Sequence, residues 1–406
     1  MKMDFESILN AKNVLNGNVK LTPTIHASRL ENRLNCNLFL KLESLQVTSS
    51  FKARGAFVSI QKNNLKYPGR GVIAMSAGNH AQAVAYHAAN FGIPATIVMP
   101  EQAPFSKVAR TKELGAEVIL RGRTLNETTR FVEETAKEKG MILIHPYNDF
   151  DVVCGQGSIG IEILNEIKDL DCIVVPIGGG GLISGISIAV KAINPKIKVF
   201  GVETKLFPSM YNVFNKTELP CFGDTIADGI AVKQPGEINV PIIMKNVDDV
   251  LLVDEISIEN SISTLFEEER VISEGAGAAG VAAIIENKNI FMNKKVATVI
   301  CGGNIDSRIF AGILNRQLSR DGKIAKIRID ITDEPGMLAR ISEAIAEDGG
   351  NILEIHHQRM FHDVPIKKAK IDALIEAQSF LNIHEIIASL KKNGFQVSLI
   401  NESSNP

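Results

Sequence analysis

Short, almost continuous apolar runs separated by Gly- and Pro-containing turns dominate most of this chain. Residues 72–75, 95–99, 117–120, 142–144, 173–177, 199–202 and 296–300 are such runs. Strands covered on both faces read this way, whereas strands with one wet face alternate. Between the runs, residues 81–91, 128–139 and 182–192 place apolar side chains at helical spacing. Strand and helix in alternation predict a doubly wound α/β architecture.

The pattern changes after the polar stretch Ser319-Arg320-Asp321-Gly322. Ile327, Ile329 and Ile331 alternate with Lys326, Arg328 and Asp330, which predicts a strand with one buried face. Pro335-Gly336 then opens a helix expected to carry Leu338, Ile341 and Ile345 on its apolar face. Strands are expected over 351–359 and 366–376, a helix over 381–392 stopped by Gly394, and a last strand over 395–400. The order βαββαβ is a ferredoxin-like unit. The chain therefore reads as two domains, 1–320 and 323–406.

Composition narrows the class. The 406 residues suffice for large cores, and a formal charge of −2 argues against a nucleic-acid surface. Five scattered cysteines (36, 154, 172, 221 and 301) form no Cys-x-x-Cys pair, as expected of a reducing compartment without a disulfide framework. The polar start Met1-Lys2-Met3-Asp4 is unlike a signal peptide, and no apolar run is long enough to span a membrane. A cytoplasmic protein is expected.

Three separated segments carry the chemistry. In Ser49-Ser50-Phe51-Lys52-Ala53-Arg54-Gly55, a helix is expected to start with Ser49 or Ser50 as its cap, placing Lys52 in the first turn. The helix dipole and partial burial there disfavour the ammonium, as an amine nucleophile requires. A solvated surface lysine is the plain alternative. Gly178-Gly179-Gly180-Gly181-Leu182 follows an apolar strand and opens a helix, the arrangement of a phosphate cradle. It lacks the Gly-Lys-Ser/Thr ending of a P-loop. The dinucleotide Gly-x-Gly-x-x-Gly spacing fails because Ile183 or Ser184 falls at the third glycine, although the next strand ends at Glu203. The third segment, Ser76-Ala77-Gly78-Asn79-His80, is a polar loop. Together they describe an amine able to form a Schiff base, a facing polar loop and a backbone cradle.

With Glu274-Gly275-Ala276-Gly277-Ala278 and Cys301-Gly302-Gly303-Asn304, these motifs resemble threonine dehydratase, in that family's order, over roughly residues 1–317. That family uses pyridoxal 5′-phosphate on a fold like the tryptophan synthase β chain, known as fold type II. The resemblance implies two lobes, the small one at about 45–145. It implies that Lys52 binds the cofactor covalently, that Phe51 packs beside its ring and that Asn79 bonds its hydroxyl. It further implies that Gly178, Gly179, Gly180, Gly181 and Leu182 hold the phosphate, and that Cys301 faces the ring nitrogen with Glu274 nearby. Backbone N–H groups of Ser76, Ala77, Gly78, Asn79 and His80 would hold the substrate carboxylate, with the Ser76 hydroxyl assisting.

The reaction implied is β-elimination from L-threonine, and from L-serine, to a 2-oxo acid and ammonia. Related serine racemases carry a serine where this chain has Ala77, and alanine has no proton to deliver to the opposite face of the α-carbon. In those relatives a cation lies beside the strand ending at Glu203, with an aspartate six residues on; here that position is Ser209, which argues against a divalent site and leaves room for a monovalent cation held by carbonyls. Residues 324–402 resemble an ACT regulatory domain, with Asp333, Gly336, Leu338 and Asn351 as the effector-binding positions. An amino-acid effector such as isoleucine and a homo-oligomer, dimer or tetramer, follow from that resemblance. His356 and His357 are adjacent on a strand and point to opposite faces, so no metal is assigned to them. The alternatives are a serine racemase or another enzyme of the same fold, and, on the glycine–Glu203 pattern, a nicotinamide-dependent oxidoreductase.

Overall fold

The computed structural model describes residues 3–123, 125–359 and 367–400. The chain divides into two compact units, residues 1–305 and 306–406. The helix Ser307–Arg320 thus groups with the second unit, ahead of the 320–323 link where the change of pattern placed the boundary.

Strands of the first unit are β1 (Thr24–His26), β2 (Asn37–Lys41), β3 (Val72–Met75), β4 (Ala95–Met99), β5 (Glu117–Leu120), β6 (Ile142–Leu143), β7 (Cys172–Pro176), β8 (Lys198–Thr204), β9 (Asp249–Val253) and β10 (Lys295–Val299). They form two sheets. The larger has six strands in the order β1-β2-β10-β7-β8-β9, parallel except for β1. The smaller is fully parallel, β5-β4-β3-β6, and comes entirely from residues inserted between β2 and β7. Burial on both faces explains the continuous apolar runs: β4 and β7 are buried along their whole length. β1, β2 and β9 were not among the expected strands. In β2, Leu38 and Leu40 are buried and Asn37 and Phe39 half-buried, while the last residue, Lys41, is also buried, so the pattern is too short and too polar to stand out.

Glycines let the helix that begins at Lys52 lie directly on its neighbour. A Cβ on Gly155 would stand 2.7 Å from Gly55 Cα, so helices Lys52–Lys66 and Phe150–Glu166 meet backbone to backbone.

The second unit contains β11 (Ile324–Thr332), β12 (Asn351–Gln358), β13 (Lys368–Glu376) and β14 (Gln396–Leu399), an antiparallel sheet in the order β12-β13-β11-β14. With helices Met337–Glu347 and Phe380–Lys392 the order is βαββαβ. Ile327, Ile329, Ile331, Ile371 and Ile375 pack with Ile341, Ile345, Ile383 and Leu390 in one core. Leu338 departs from expectation. It is 39% exposed while Ile341 and Ile345 are fully buried, because it lies in the first turn, ahead of the stripe that meets the sheet. The expected start of β13 at residue 366 lies outside the described residues.

Candidate active site

The approach to Lys52 is shaped by backbone rather than by a side-chain cap. Residues 49–51 run along residues 301–303. Ser50 and Gly302 form an antiparallel bridge, Phe51 N–H donates to Cys301 O at 3.0 Å, and Gly303 N–H donates to Ser49 O at 3.0 Å. Thr48 and Ser49 both have positive φ, 61° and 55°, an unfavourable region for a β-branched threonine and a sign of strain stored beside a functional site. The expected serine cap is absent. Phe51 occupies the N-cap position without a side-chain bond, because the bridge draws Ser50 into extended backbone and leaves its buried hydroxyl without a partner.

Lys52 Nζ donates to Pro146 O at 2.9 Å and stands 5.0 Å from the centre of the Phe51 ring. Loss of water around the amine brings its pKa down to about 8, against the opposing pull of the Cys301 thiol and Glu274. Two histidines flank it. Burial, reinforced by the lysine charge, lowers His80 to about 3 and His145 to about 4, so both rings are neutral at pH 7. His80 Nε2 donates to Ile144 O at 2.8 Å, and His145 Nδ1 accepts from Asn148 N–H at 2.8 Å. His145, Pro146 and Tyr147 were not among the expected site residues; nothing in their local pattern separates them from an ordinary turn after β6.

Asn79 opens the helix Asn79–Asn90, and its Nδ2 donates to Glu274 Oε1 at 2.7 Å. Burial lifts Glu274 to about 7 in spite of that bond. Cys301 is buried, and desolvation followed by the nearby Glu274 charge keeps its thiol well above the ordinary value. Lys52, Asn79, Glu274 and Cys301, far apart in sequence, therefore meet in one place.

The glycine run follows β7, with Gly180 at φ 89° as the N-cap of helix Gly181–Ile193. Among the described residues, none of the amides of residues 178–182 has an acceptor. Side chains are excluded here by contact. A Cβ on Gly179 would lie 2.1 Å from the Tyr147 ring, and one on Gly178 would lie 2.8 Å from Gly229 O. Asn239 Nδ2 holds the loop's shape, donating to Gly179 O at 2.9 Å and to Tyr147 O at 2.8 Å. Residues 146–147 thus link the lysine amine to the glycine cradle. A free amine of lowered pKa and a helix N-terminus with free amides suit a phosphate-bearing carbonyl compound, which the amine can bind covalently.

The polar loop 76–80 departs in part from expectation. Ser76 N–H donates to Val98 O at 3.2 Å, continuing the β3–β4 ladder, and Gly78 N–H donates to Ser76 Oγ at 3.1 Å. The amides of Ala77, Asn79 and His80 remain without acceptors among the described residues. Glu203 is buried, pushed up to about 7 by burial, and accepts from Ser209 Oγ at 3.2 Å, Met210 N–H at 2.9 Å and Tyr211 N–H at 2.7 Å.

The four effector-binding candidates do not gather in one chain. Asp333 follows β11 and pairs with Arg359 at 3.1 Å; Gly336 caps the helix that carries exposed Leu338. Asn351 lies across from Glu376, which pairs with Ile324 at the opposite end of β11. Along a strand of that length the separation is about 27 Å.

Residues 15–302 match the family described as pyridoxal-phosphate dependent enzyme. The chain belongs to that family. It is 42% identical over 397 residues to the L-threonine ammonia-lyase of Thermotoga maritima, covering 97% of this chain and 99% of that one. Among solved structures, maize serine racemase is 33% identical with a TM-score of 0.73, covering 79% of this chain and 99% of that one. The processed form of threonine deaminase isoform 2 from Solanum lycopersicum is 32% identical with a TM-score of 0.71, covering 77% of this chain and 86% of that one. The fold is the two-lobed type II fold of pyridoxal-phosphate enzymes with a C-terminal ferredoxin-like unit.

Proposed function

We propose that the protein is a pyridoxal-phosphate-dependent L-threonine ammonia-lyase that releases 2-oxobutanoate and ammonia, and pyruvate from L-serine. The observation that carries this reading is the link, through Pro146 and Tyr147, between the Lys52 amine and the free amides of the glycine loop. Likeness to an L-threonine ammonia-lyase over nearly the whole chain supports it.

Lys52 would hold the cofactor through its amine, and residues 178–182 would hold the phosphate. Phe51 would lie beside the ring, Asn79 at its hydroxyl and Cys301 at its nitrogen, with Glu274 close by. When bound, the cofactor supplies an electron sink for charge developing at the substrate α-carbon. The Lys52 amine, of lowered pKa, would serve as the base for the α-proton. The amides of Ala77, Asn79 and His80 hold the carboxylate. Cys301, kept a neutral thiol by burial and by the nearby Glu274 charge, would offer the ring nitrogen no carboxylate to hold a proton there, which suits elimination of a β-hydroxyl.

Serine racemase is the second reading, favoured by the structural likeness to the maize enzyme. Ala77 speaks against it, since this residue has no proton to give. Chiral analysis of products from L-serine separates the two. Pyruvate and ammonia with D-serine below about a hundredth of their rate supports the lyase; D-serine at a matching rate refutes it.

The lowered pKa of Lys52 makes a second measurable statement. In the cofactor-free protein, the rate at which added pyridoxal phosphate develops its visible band should rise with pH as the ammonium loses its proton, then level above about pH 8. A lysine at its ordinary value would keep gaining rate toward about pH 10.

Residues 323–406 serve, in this reading, as an ACT-like domain binding an amino-acid effector such as isoleucine. Asp333 follows one end of β11 and Asn351, on β12, lies level with the other, which supports a site completed by a second copy in a dimer or tetramer. A monovalent cation held by carbonyls and a cytoplasmic setting complete the proposal. Among the described residues, no helix is long and apolar enough to cross a membrane.

A further inference from the structure

We infer, on the proposed role of Asn79 toward the cofactor's ring hydroxyl, that Asn304 is a positioning residue which fixes the Asn79 amide and ties it to the strained turn before Lys52. Asn304 Nδ2 donates to Thr48 O at 2.8 Å and to Asn79 Oδ1 at 2.7 Å. A backbone carbonyl only accepts, so the bond to Thr48 decides which end of the Asn304 amide carries hydrogen. Both Nδ2 hydrogens of Asn304 are then used. Asn79 must present its oxygen to Asn304 and its nitrogen to Glu274, where Nδ2 donates to Oε1 at 2.7 Å. One Asn79 Nδ2–H remains, and this is the hydrogen available to a ring oxygen.

Two further features point the same way. Thr48 supplies its carbonyl from a left-handed conformation, φ 61° and ψ 14°, which a β-branched residue adopts only when its surroundings impose it. Asn304 and the Gly303 N–H bond to Ser49 O are the bonds that hold that turn from the 301–304 side. Gly302 meanwhile leaves the backbone free to pack on the pair, since a Cβ there would lie 2.3 Å from Glu274 Oε1 and 3.1 Å from Asn79 Nδ2. Residues 301–304 thus hold the lysine turn with one edge and orient the Asn79–Glu274 pair with the other.

The test uses full-length holoenzyme carrying Asn304→Asp or Asn304→Ala. Aspartate keeps the shape but donates nothing, so it faces two oxygens and favours a turned Asn79 amide; alanine removes the donors without adding charge. Expected are a shifted visible cofactor band and pyridoxal phosphate binding weakened about tenfold when cofactor-free protein is titrated, the size of one lost hydrogen bond. A fall in kcat of about tenfold or more, with KM for threonine changed less than about threefold, should accompany them, and aspartate should be the worse variant. Unchanged band, affinity and kcat in both variants would overturn the inference. So would a lower Tm and kcat with an unaltered band and affinity, which would make Asn304 an anchor of the turn alone. If the unmutated protein shows no cofactor band, the cofactor reading itself fails, a distinct outcome.

Discussion

Replacing Lys52 with alanine is expected to lower kcat for L-threonine by at least about 10,000-fold, because one side chain serves both as the covalent anchor and as the base. Fold stability should barely change, since the amine's hydrogen bond is a single contact with Pro146 O. Arginine in its place should be equally inactive: a guanidinium does not lose its proton near neutral pH. Borohydride reduction of the cofactor-loaded protein should fix the cofactor on the peptide containing Lys52, and on no peptide in the alanine variant. Turnover near the unmutated rate with Lys52→Ala would remove the residue from its assigned role.

The second large effect is on stability, two residues further along the same helix. Arg54 is fully buried and splits its guanidinium between two carboxylates. Nε and one terminal nitrogen reach Glu43 at 2.8 and 2.7 Å, and the two terminal nitrogens reach Glu162 at 2.5 and 2.8 Å. Lys41 Nζ joins Glu162 at 2.9 Å and donates to Thr22 O at 2.7 Å. Burial alone would lower the Arg54 pKa, but the charges and hydrogen bonds of Glu43 and Glu162 outweigh it and raise it above the ordinary value. Glu162 is correspondingly pulled down by Arg54 and Lys41 against its own desolvation. Arg54→Ala leaves Glu162 with Lys41 and buried Glu43 with the Thr22 hydroxyl in place of a cation, and is expected to cost about 3–5 kcal/mol in denaturant unfolding. Arg54→Lys should recover little, because one ammonium cannot make two forked pairs. A loss below about 1 kcal/mol for the alanine variant would contradict this description of the network.

Much of the site was legible because each motif is a local device with a local signature. A lysine at a helix start and glycines between an apolar strand and a helix are read within ten residues. What the pattern concealed were partners across long separations. Asn304 lies 225 residues from Asn79, and although it closes the Cys-Gly-Gly-Asn motif, nothing in that motif says which side chain it meets. Arg54 likewise stands in plain view in the lysine motif, yet its carboxylates come from an isolated turn and a distant helix. The serine cap was a sound local expectation that lost to a non-local one, the bridge between Ser50 and Gly302. Helical period alone groups Leu338 with Ile341 and Ile345, whereas its first-turn position leaves it 39% exposed. The separation of Asn351 from Asp333 required strand register, which periodicity does not contain.

The central claim is tested most directly by following ammonia and 2-oxo acid release from L-threonine by the full-length protein supplied with pyridoxal phosphate. Equal amounts of 2-oxobutanoate and ammonia, formed only with the cofactor present, are the predicted result. A bound cofactor band without 2-oxo acid from either L-threonine or L-serine would contradict the lyase assignment while leaving the family and fold in place.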